Sequence, residues 1–416
     1  MPSLRLIFLL AVVAGMATRL WLANRQIAAV TRHRAHVPEP FAHSISPADH
    51  HKAADYAAAR TRLGRIDTLI DGLVLLALTL GGGIAALDRL WLRWPLGELW
   101  HGTLVILSVL LLMALIGLPL SLWSTFRLEA RFGFNRTTLA LFLVDRIKGL
   151  VLAALIGTPL LLAALELMDR AGALWWIYVW ALWLGVSLLL TWAYPALIAP
   201  LFNRFSPLHD EALRTRIEAL LQRCGFASRG VFVIDGSRRS AHGNAYFTGV
   251  GRNKRIVFFD TLISTLEPGE IEAVLAHELG HFKLHHIRRR LIISAVLALA
   301  GLALLGYLAT RLWFYQGLGL PGASNYGALL LFMLVTPVFT FFVTPLAAHW
   351  SRRDEYAADA FAAQHTPAAA LMAALVKLYR DNATTLTPDR VHSQFYDSHP
   401  PALARIARLR ELAPGP

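Results

Sequence analysis

The sequence predicts an α-helical polytopic membrane protein with seven transmembrane helices and a polar α+β domain in the cytosol. Three observations predict this. Hydrophobic residues make up 56% of the 416 and charged residues only 16%, whereas soluble chains run at about 45–50% and about 25%. Seven long runs carry almost no charge. One long polar stretch lies between the fifth and sixth runs. A large soluble enzyme, a disordered chain and a fibrous protein are all excluded by this composition.

The seven runs are Leu4–Ala23, Leu69–Leu87, Gly102–Trp123, Leu150–Met168, Ala173–Ile198, Leu291–Trp313 and Tyr326–His349. Each is close to the ~20 apolar residues that a spanning helix needs. The first has the look of a signal peptide but lacks a small-residue cleavage site, so it is read as an uncleaved span. Trp91, Trp94, Trp100, Trp123, Trp175, Trp176, Trp313 and Trp350 lie near run ends, as aromatic belts do. Asp71, Asp88, Asp145 and Glu166 also lie at run ends and read as interfacial charges.

The net charge is +13, from 40 Lys+Arg against 27 Asp+Glu. Counted loop by loop after each run in turn, Lys+Arg number 7, 2, 5, 1, 14, at most 1 (Arg311, at the end of the sixth run) and 8. The alternation puts the N-terminus outside, and the long fifth loop and the tail in the cytosol. It accounts for the basic balance through a bilayer partner, with no nucleic acid needed. Arginine far exceeds lysine, which suggests a bacterial inner membrane. Cys224 is the single cysteine, so neither an internal disulfide nor a multi-cysteine metal site can form.

The chain divides into a membrane domain, residues 1–202 with five spans, and a second domain, residues 203–416, that includes the last two. In the fifth loop, Asp210–Cys224 has helical periodicity and Gly230–Ile234 is a short β-branched run. Ala245–Val250 and Arg255–Phe259 flank Gly251-Arg252-Asn253-Lys254 and read as a hairpin. Pro268–His286 reads as a helix with Glu267, Glu270 and Glu272 at its start. Gly317–Asn325 reads as an external turn, and Ser351–Gln364 and Pro367–Tyr379 as tail helices.

The predicted helix Pro268–His286 contains Ala276-His277-Glu278-Leu279-Gly280-His281. The HExxH spacing puts His277 and His281 one turn apart on one face. That suits two imidazoles on one zinc ion, with Glu278 beside them to take a proton from activated water. The plainer alternative is a solvated polar face. Apolar Val274, Leu275, Ala276 and Leu279 argue against it, because burying three such groups without partners is costly. A third ligand is required. Ile287 stands where a metzincin would carry histidine, which leaves a distant acid. Arg353-Asp354-Glu355-Tyr356-Ala357-Ala358-Asp359 offers Glu355 as ligand and Asp359, one turn on, as hydrogen-bond partner of a ligating histidine. The topology brings both motifs to the same membrane face. His285 lies on the histidine face about 6 Å beyond His281 along the helix, and with His286 it stays out of the ligand set.

With these residues in hand, the chain resembles the type I CAAX prenyl endopeptidases, seven-span membrane zinc proteases, over essentially its full length. Four further stretches carry the likeness: Glu129-Ala130-Arg131-Phe132-Gly133-Phe134-Asn135-Arg136-Thr137, Ile198-Ala199-Pro200-Leu201-Phe202-Asn203, His242-Gly243-Asn244-Ala245-Tyr246-Phe247, and Ser398-His399-Pro400-Pro401. Gly243 and Asp397 depart from the family pattern without touching the chemistry. The resemblance implies seven helices around a chamber, a zincin-like domain, and one Zn2+ per chain. It implies His277, His281 and Glu355 as ligands and Glu278 as base. It implies that Asn244 and His399 contact the substrate backbone or polarise its carbonyl, with the peptide extended along Asn244–Phe247 and so beside Tyr246. The implied substrate is a prenylated-Cys tail, cut after the cysteine. Taken alone, Asn244 sits at a strand start where an extended peptide could pair, and His399 precedes two prolines in an extended turn.

Three rivals compete with this reading. A quality-control membrane protease would share the chemistry but need no lipid. An intramembrane zinc protease would bury the motif in a span, which Lys283 and Arg288-Arg289-Arg290 disfavour. A seven-span transporter or receptor predicts functional charges mid-span and leaves both motifs unexplained.

Overall fold

The computed structural model describes residues 2–226, 230–248 and 255–413. The predicted turn at Gly251–Lys254 and the predicted strand end at Val250 lie outside the described residues.

Helix α1 runs Pro2–Arg32 and pairs with α2, Pro47–Leu78. At 32 residues α2 is about 48 Å long, well beyond a ~30 Å hydrocarbon core. Its first half is polar and projects out of the bilayer. The apolar run that starts at Leu69 is thus the second half of a longer helix, because hydropathy registers only the apolar half. Nor does the second run form a straight span. A 54° bend separates α2 from α3, Gly83–Trp91. Gly82 there adopts φ 77°, a left-handed conformation that glycine enters freely.

The third span, α4 (Glu98–Trp123), widens into π-type turns at Ser124–Glu129. Then come α5 (Leu139–Arg170) and α6 (Trp175–Ala193), which widens likewise at Tyr194–Ile198 before α7, Ala199–Phe202. Six helices are long and apolar enough to cross a membrane, and the bent α2–α3 pair makes seven. Leu155 and Leu297 are 68% and 66% exposed. Such surfaces are covered by lipid rather than by protein.

The polar domain begins with β1, Phe205–Pro207, followed by α8, Glu211–Arg223, and β2, Val231–Ile234. Strands β3 (Ala245–Thr248) and β4 (Arg255–Phe259) pair antiparallel, as the hairpin reading expects. The sheet order is β1-β2-β4-β3, with β2 parallel to β4, so β3 is an edge. Next come α9 (Asp260–Ile263) and α10 (Pro268–Lys283). A capping box starts α10: the Glu267 side chain accepts from the Glu270 backbone, and Glu270 reciprocates, which satisfies two otherwise orphaned N–H groups.

The expected helix Pro268–His286 breaks before its predicted end. His285 takes φ 58°, and α11, His286–Leu308, leaves in a new direction as a membrane span. The predicted turn at Gly317–Asn325 is preceded by a short helix, α12, Leu312–Gly317. The last span, α13 (Asn325–Thr340), passes through Phe341–Val343 into α14, Thr344–His365. It therefore carries Glu355 out of the membrane on one nearly continuous rod. The tail adds α15 (Ala368–Asp381), α16 (Arg390–Tyr396) and α17 (Ala402–Leu412).

The core of the polar domain draws on α8 (Ile217, Leu220), the sheet (Ile256, Phe258), α10 (Ile271, Leu275) and the tail (Leu371, Leu409). Residues before and after the last two spans thus build one core. Burial of each such side chain is worth about 1.5–3 kcal/mol, which is enough to dock the tail firmly onto α10.

Candidate active site

The site is built where α10 packs against α14. Gly280 permits the close approach: a Cβ there would sit 3.0 Å from Ala358 Cα and 3.1 Å from Phe361 Cβ. Beside this contact the structure brings His277, His281 and Glu355 together. His277 Nε2 lies 3.2 Å from His281 Nε2. Glu355 Oε2 is 3.4 Å from His277 Nε2, and Glu355 Oε1 is 3.3 Å from His281 Nε2. Donors about 2.05 Å from a tetrahedral zinc stand about 3.3 Å apart. The three separations therefore fit the ion. Glu355 Oε2 is buried without a hydrogen-bond donor, an arrangement that a cation would satisfy.

Both histidines are held from behind. His277 Nδ1 contacts Asp359 Oδ1 at 2.8 Å, which turns Nε2 toward the donor cluster, as ligating histidines require. This is the partner that the sequence assigned to Asp359. In the metal-free site, burial alone would lower the His277 pKa. The hydrogen bond with Asp359 and the nearby Glu355 carboxylate outweigh it and raise the imidazole to about 9. His281 Nδ1 lies 3.0 Å from His286 Nδ1, and His286 approaches Asp354, which pairs with Arg289. His286 is thus a support rather than a ligand, and His285 is exposed at the helix break.

Sequence reasoning missed Arg405. Its guanidinium is buried and donates twice to Asp359, at 2.8 and 2.7 Å, while lying 3.2 Å from His277 Nδ1. It balances a site that otherwise holds two carboxylates in low dielectric. A signal was present: on α17 Arg405 shares a face with buried Ala402 and Leu409, so it interrupts an apolar stripe.

Glu278 faces a cavity of about 140 Å³ that is also lined by Asn244, His277 and His399. Burial raises the Glu278 pKa. His399 Nε2 lies 3.5 Å from Glu355 Oε1, and the His399 side chain is 64% exposed. Asn244 stands at the start of edge strand β3, where its backbone carbonyl accepts from Phe259 N at 3.0 Å. Tyr246 does not join this group. It packs edge-on against Phe259 with ring centres 6.3 Å apart and does not line the cavity. A second cavity of about 480 Å³ adjoins the first through Gly243, Asn244, His399 and Arg405, which leaves room for an extended peptide.

Comparison with known proteins agrees with this geometry. Residues 26–204 match the family model for the CAAX prenyl protease N-terminal region of five membrane helices, and residues 207–413 match peptidase family M48. CAAX prenyl protease 1 homolog of Arabidopsis thaliana is 39% identical over 78% of this chain and 77% of its own length. The Homo sapiens homolog is 32% identical over 99% and 97%. The crystal structure of S. mikatae Ste24p superposes with a TM-score of 0.90 at 30% identity, covering 98% of this chain and 99% of that one.

Proposed function

The chain belongs to the CAAX prenyl protease family within peptidase family M48, and on that premise we propose that it cleaves C-terminal tails carrying a prenylated cysteine with the help of one zinc ion. It is a multi-pass membrane metalloendopeptidase. The relatives' printed names supply the substrate class.

His277, His281 and Glu355 would hold the zinc, with Asp359 fixing His277. When bound there, zinc supplies Lewis acidity that acidifies water and polarises a carbonyl. Glu278 takes the proton of the attacking water and delivers it to the leaving amine. Its buried setting raises its proton affinity, which suits a group that must accept a proton and return it. His399 donates to the oxygen that becomes negative as the carbonyl turns tetrahedral. The peptide adds to β3 as a further strand, with Asn244 binding its backbone and Tyr246 flanking it further along the edge. The working units are the membrane domain (residues 1–202) and the peptidase domain (residues 203–416). The alternation of Lys+Arg between loops supports an N-terminus outside and a cytosolic catalytic face, and the excess of arginine over lysine is what suggests a bacterial inner membrane.

The observation that carries this reading is the trio of donors at zinc-like separations beside Glu278 and a cavity. The experiment compares a farnesylated CAAX peptide with its unlipidated twin, using purified protein in detergent and Glu278→Gln as blank. Cleavage of the lipidated peptide alone, abolished in the variant, is expected. Equal cleavage of both would move the function to general membrane proteostasis. Full activity in Glu278→Gln would refute the assigned base.

A further inference from the structure

Among the motif stretches, the segment from Glu129 to Thr137 and the pair His242-Gly243 just ahead of Asn244 are still without a role. The structure joins them. The loop after α4 pairs with residues 239–241 as a short stretch of sheet. Arg136 N donates to Arg239 O at 3.1 Å, Ala241 N donates to Phe134 O at 3.0 Å, and Asn135 bridges Ser240 between them. His242 then stacks on Phe134 with ring centres 4.3 Å apart. Its Nε2 lies 3.7 Å from Glu129 Oε2, and the other Glu129 oxygen accepts from Tyr56 of α2 at 2.7 Å. On the opposite side, Asn382 at the end of α15 takes Gly243 N and His242 Nδ1, each at 3.1 Å from its Oδ1. Thr261 donates to the His242 carbonyl at 3.0 Å.

None of these groups reaches the donor trio. What they hold is the two residues immediately before Asn244, gripped between a membrane helix, a membrane-edge loop and the tail. We propose that Glu129, His242 and Asn382 form a positioning clamp. It fixes the height and register of the peptide-pairing edge and ties that edge to membrane helices α2 and α4. The clamp rests on the peptide-pairing role given to Asn244 and β3 above. Glu129 and His242 are positioning residues that act on substrate through Asn244 and β3, whereas Asn382 also lines the larger cavity, so its part in the clamp is read from the order of the strand and not from KM alone. A sheet edge specifies register only if its own strand cannot slide, since a one-residue slip reverses every side chain. With β3 on the open side of the sheet, the grip on His242 and Gly243 supplies that restraint.

The test uses the full chain in detergent with a cleavable peptide. Asn382→Leu removes the acceptor for Gly243 and His242 at similar volume, whereas Asn382→Asp keeps it. His242→Phe keeps the stack on Phe134 and loses both polar contacts. Asn382→Leu loses both hydrogen bonds to Oδ1, and His242→Phe loses one of them together with the 3.7 Å contact to Glu129; a loss of this size corresponds to KM raised on the order of tenfold. The clamp predicts that rise for Asn382→Leu and His242→Phe, with kcat within about twofold, metal content unchanged, and recovery in Asn382→Asp. A purely structural role would instead lower kcat and metal content together, and that result would overturn the proposal. Backbone hydrogen exchange at Gly243–Tyr246 is read in parallel. It should rise at least about tenfold in Asn382→Leu and stay near wild type in Asn382→Asp. Unchanged exchange in Asn382→Leu would refute the clamp even if the wild type cleaved no peptide, an outcome that would separately refute the proposed substrate.

Discussion

Replacing Asp359 with asparagine tests how far the metal site depends on a residue that never touches the metal. Asp359 is 0% exposed and is the shared acceptor of Arg405 (2.7 and 2.8 Å) and His277 Nδ1 (2.8 Å). Asp359→Asn would keep an oxygen for His277 but bring an N–H₂ group against the Arg405 guanidinium, and it would remove the negative charge opposite that buried cation. Changes of this kind behind a metal ligand typically cost about 10–100-fold in affinity, or about 1.4–2.8 kcal/mol at about 1.4 kcal/mol per decade. Asp359→Ala goes further and strands Arg405 without its partner, which costs about 3–5 kcal/mol of stability. Zinc affinity is measured by competition with a chromophoric chelator, and thermal unfolding by loss of intrinsic fluorescence in detergent. Asp359→Asn should bind zinc about 10–100-fold more weakly with a modest loss of stability, and Asp359→Ala should lose both. Zinc affinity within about twofold of wild type in Asp359→Asn would refute the claim that Asp359 orients His277.

Glu278→Gln should retain zinc and lose activity by about 10²–10⁴-fold, the usual worth of a general base; activity within about tenfold of wild type would contradict the assignment. Zinc uptake should release a proton at neutral pH, because the metal-free His277 is raised to about 9 and must be neutral to ligate. Zinc affinity should therefore climb about tenfold per pH unit from 7 toward 9 and level off above it. Calorimetry in buffers of different ionisation enthalpy reads the proton, and a zero count would contradict the prediction. Gly280→Val should lower zinc affinity at least about tenfold without altering a ligand, since backbone atoms of α14 stand 3.0 and 3.2 Å from the added Cβ and cannot yield as a side chain would. Unchanged metal content and affinity in that variant would show that helix separation does not set the donor distances.

The seven apolar runs were legible because lipid imposes length and composition directly. Their ends were not. Helix α2 begins at Pro47, well before the apolar run at Leu69, because a polar helical turn looks like a loop to hydropathy. The bend after α2 was hidden as well, since Gly81-Gly82-Gly83 leaves the apolar average intact. Within the site, the histidine pair was legible from helical spacing, and Glu355 from elimination and topology. The i, i+4 rule then put Asp359 behind it. Arg405 could be marked as buried from the apolar stripe it interrupts, but its partners could not be read, because Asp359 and His277 lie 46 and 128 residues away. The parallel pairing of β2 with β4 and the strand β1 were also missed, because neither has a local turn signal. The break at His285 was hard to see for a related reason: histidine is enriched in the left-handed region, but such residues stay uncommon, so one histidine among several does not mark a break.

His277, His281 and Glu355 are proposed to hold one catalytic zinc jointly. Metal analysis of purified wild type, His277→Ala and Glu355→Ala, with peptidase activity read on the same samples, tests it most directly. One zinc per chain in wild type, falling in step with activity in both variants, is the predicted result. A variant that keeps full zinc and full activity would contradict it.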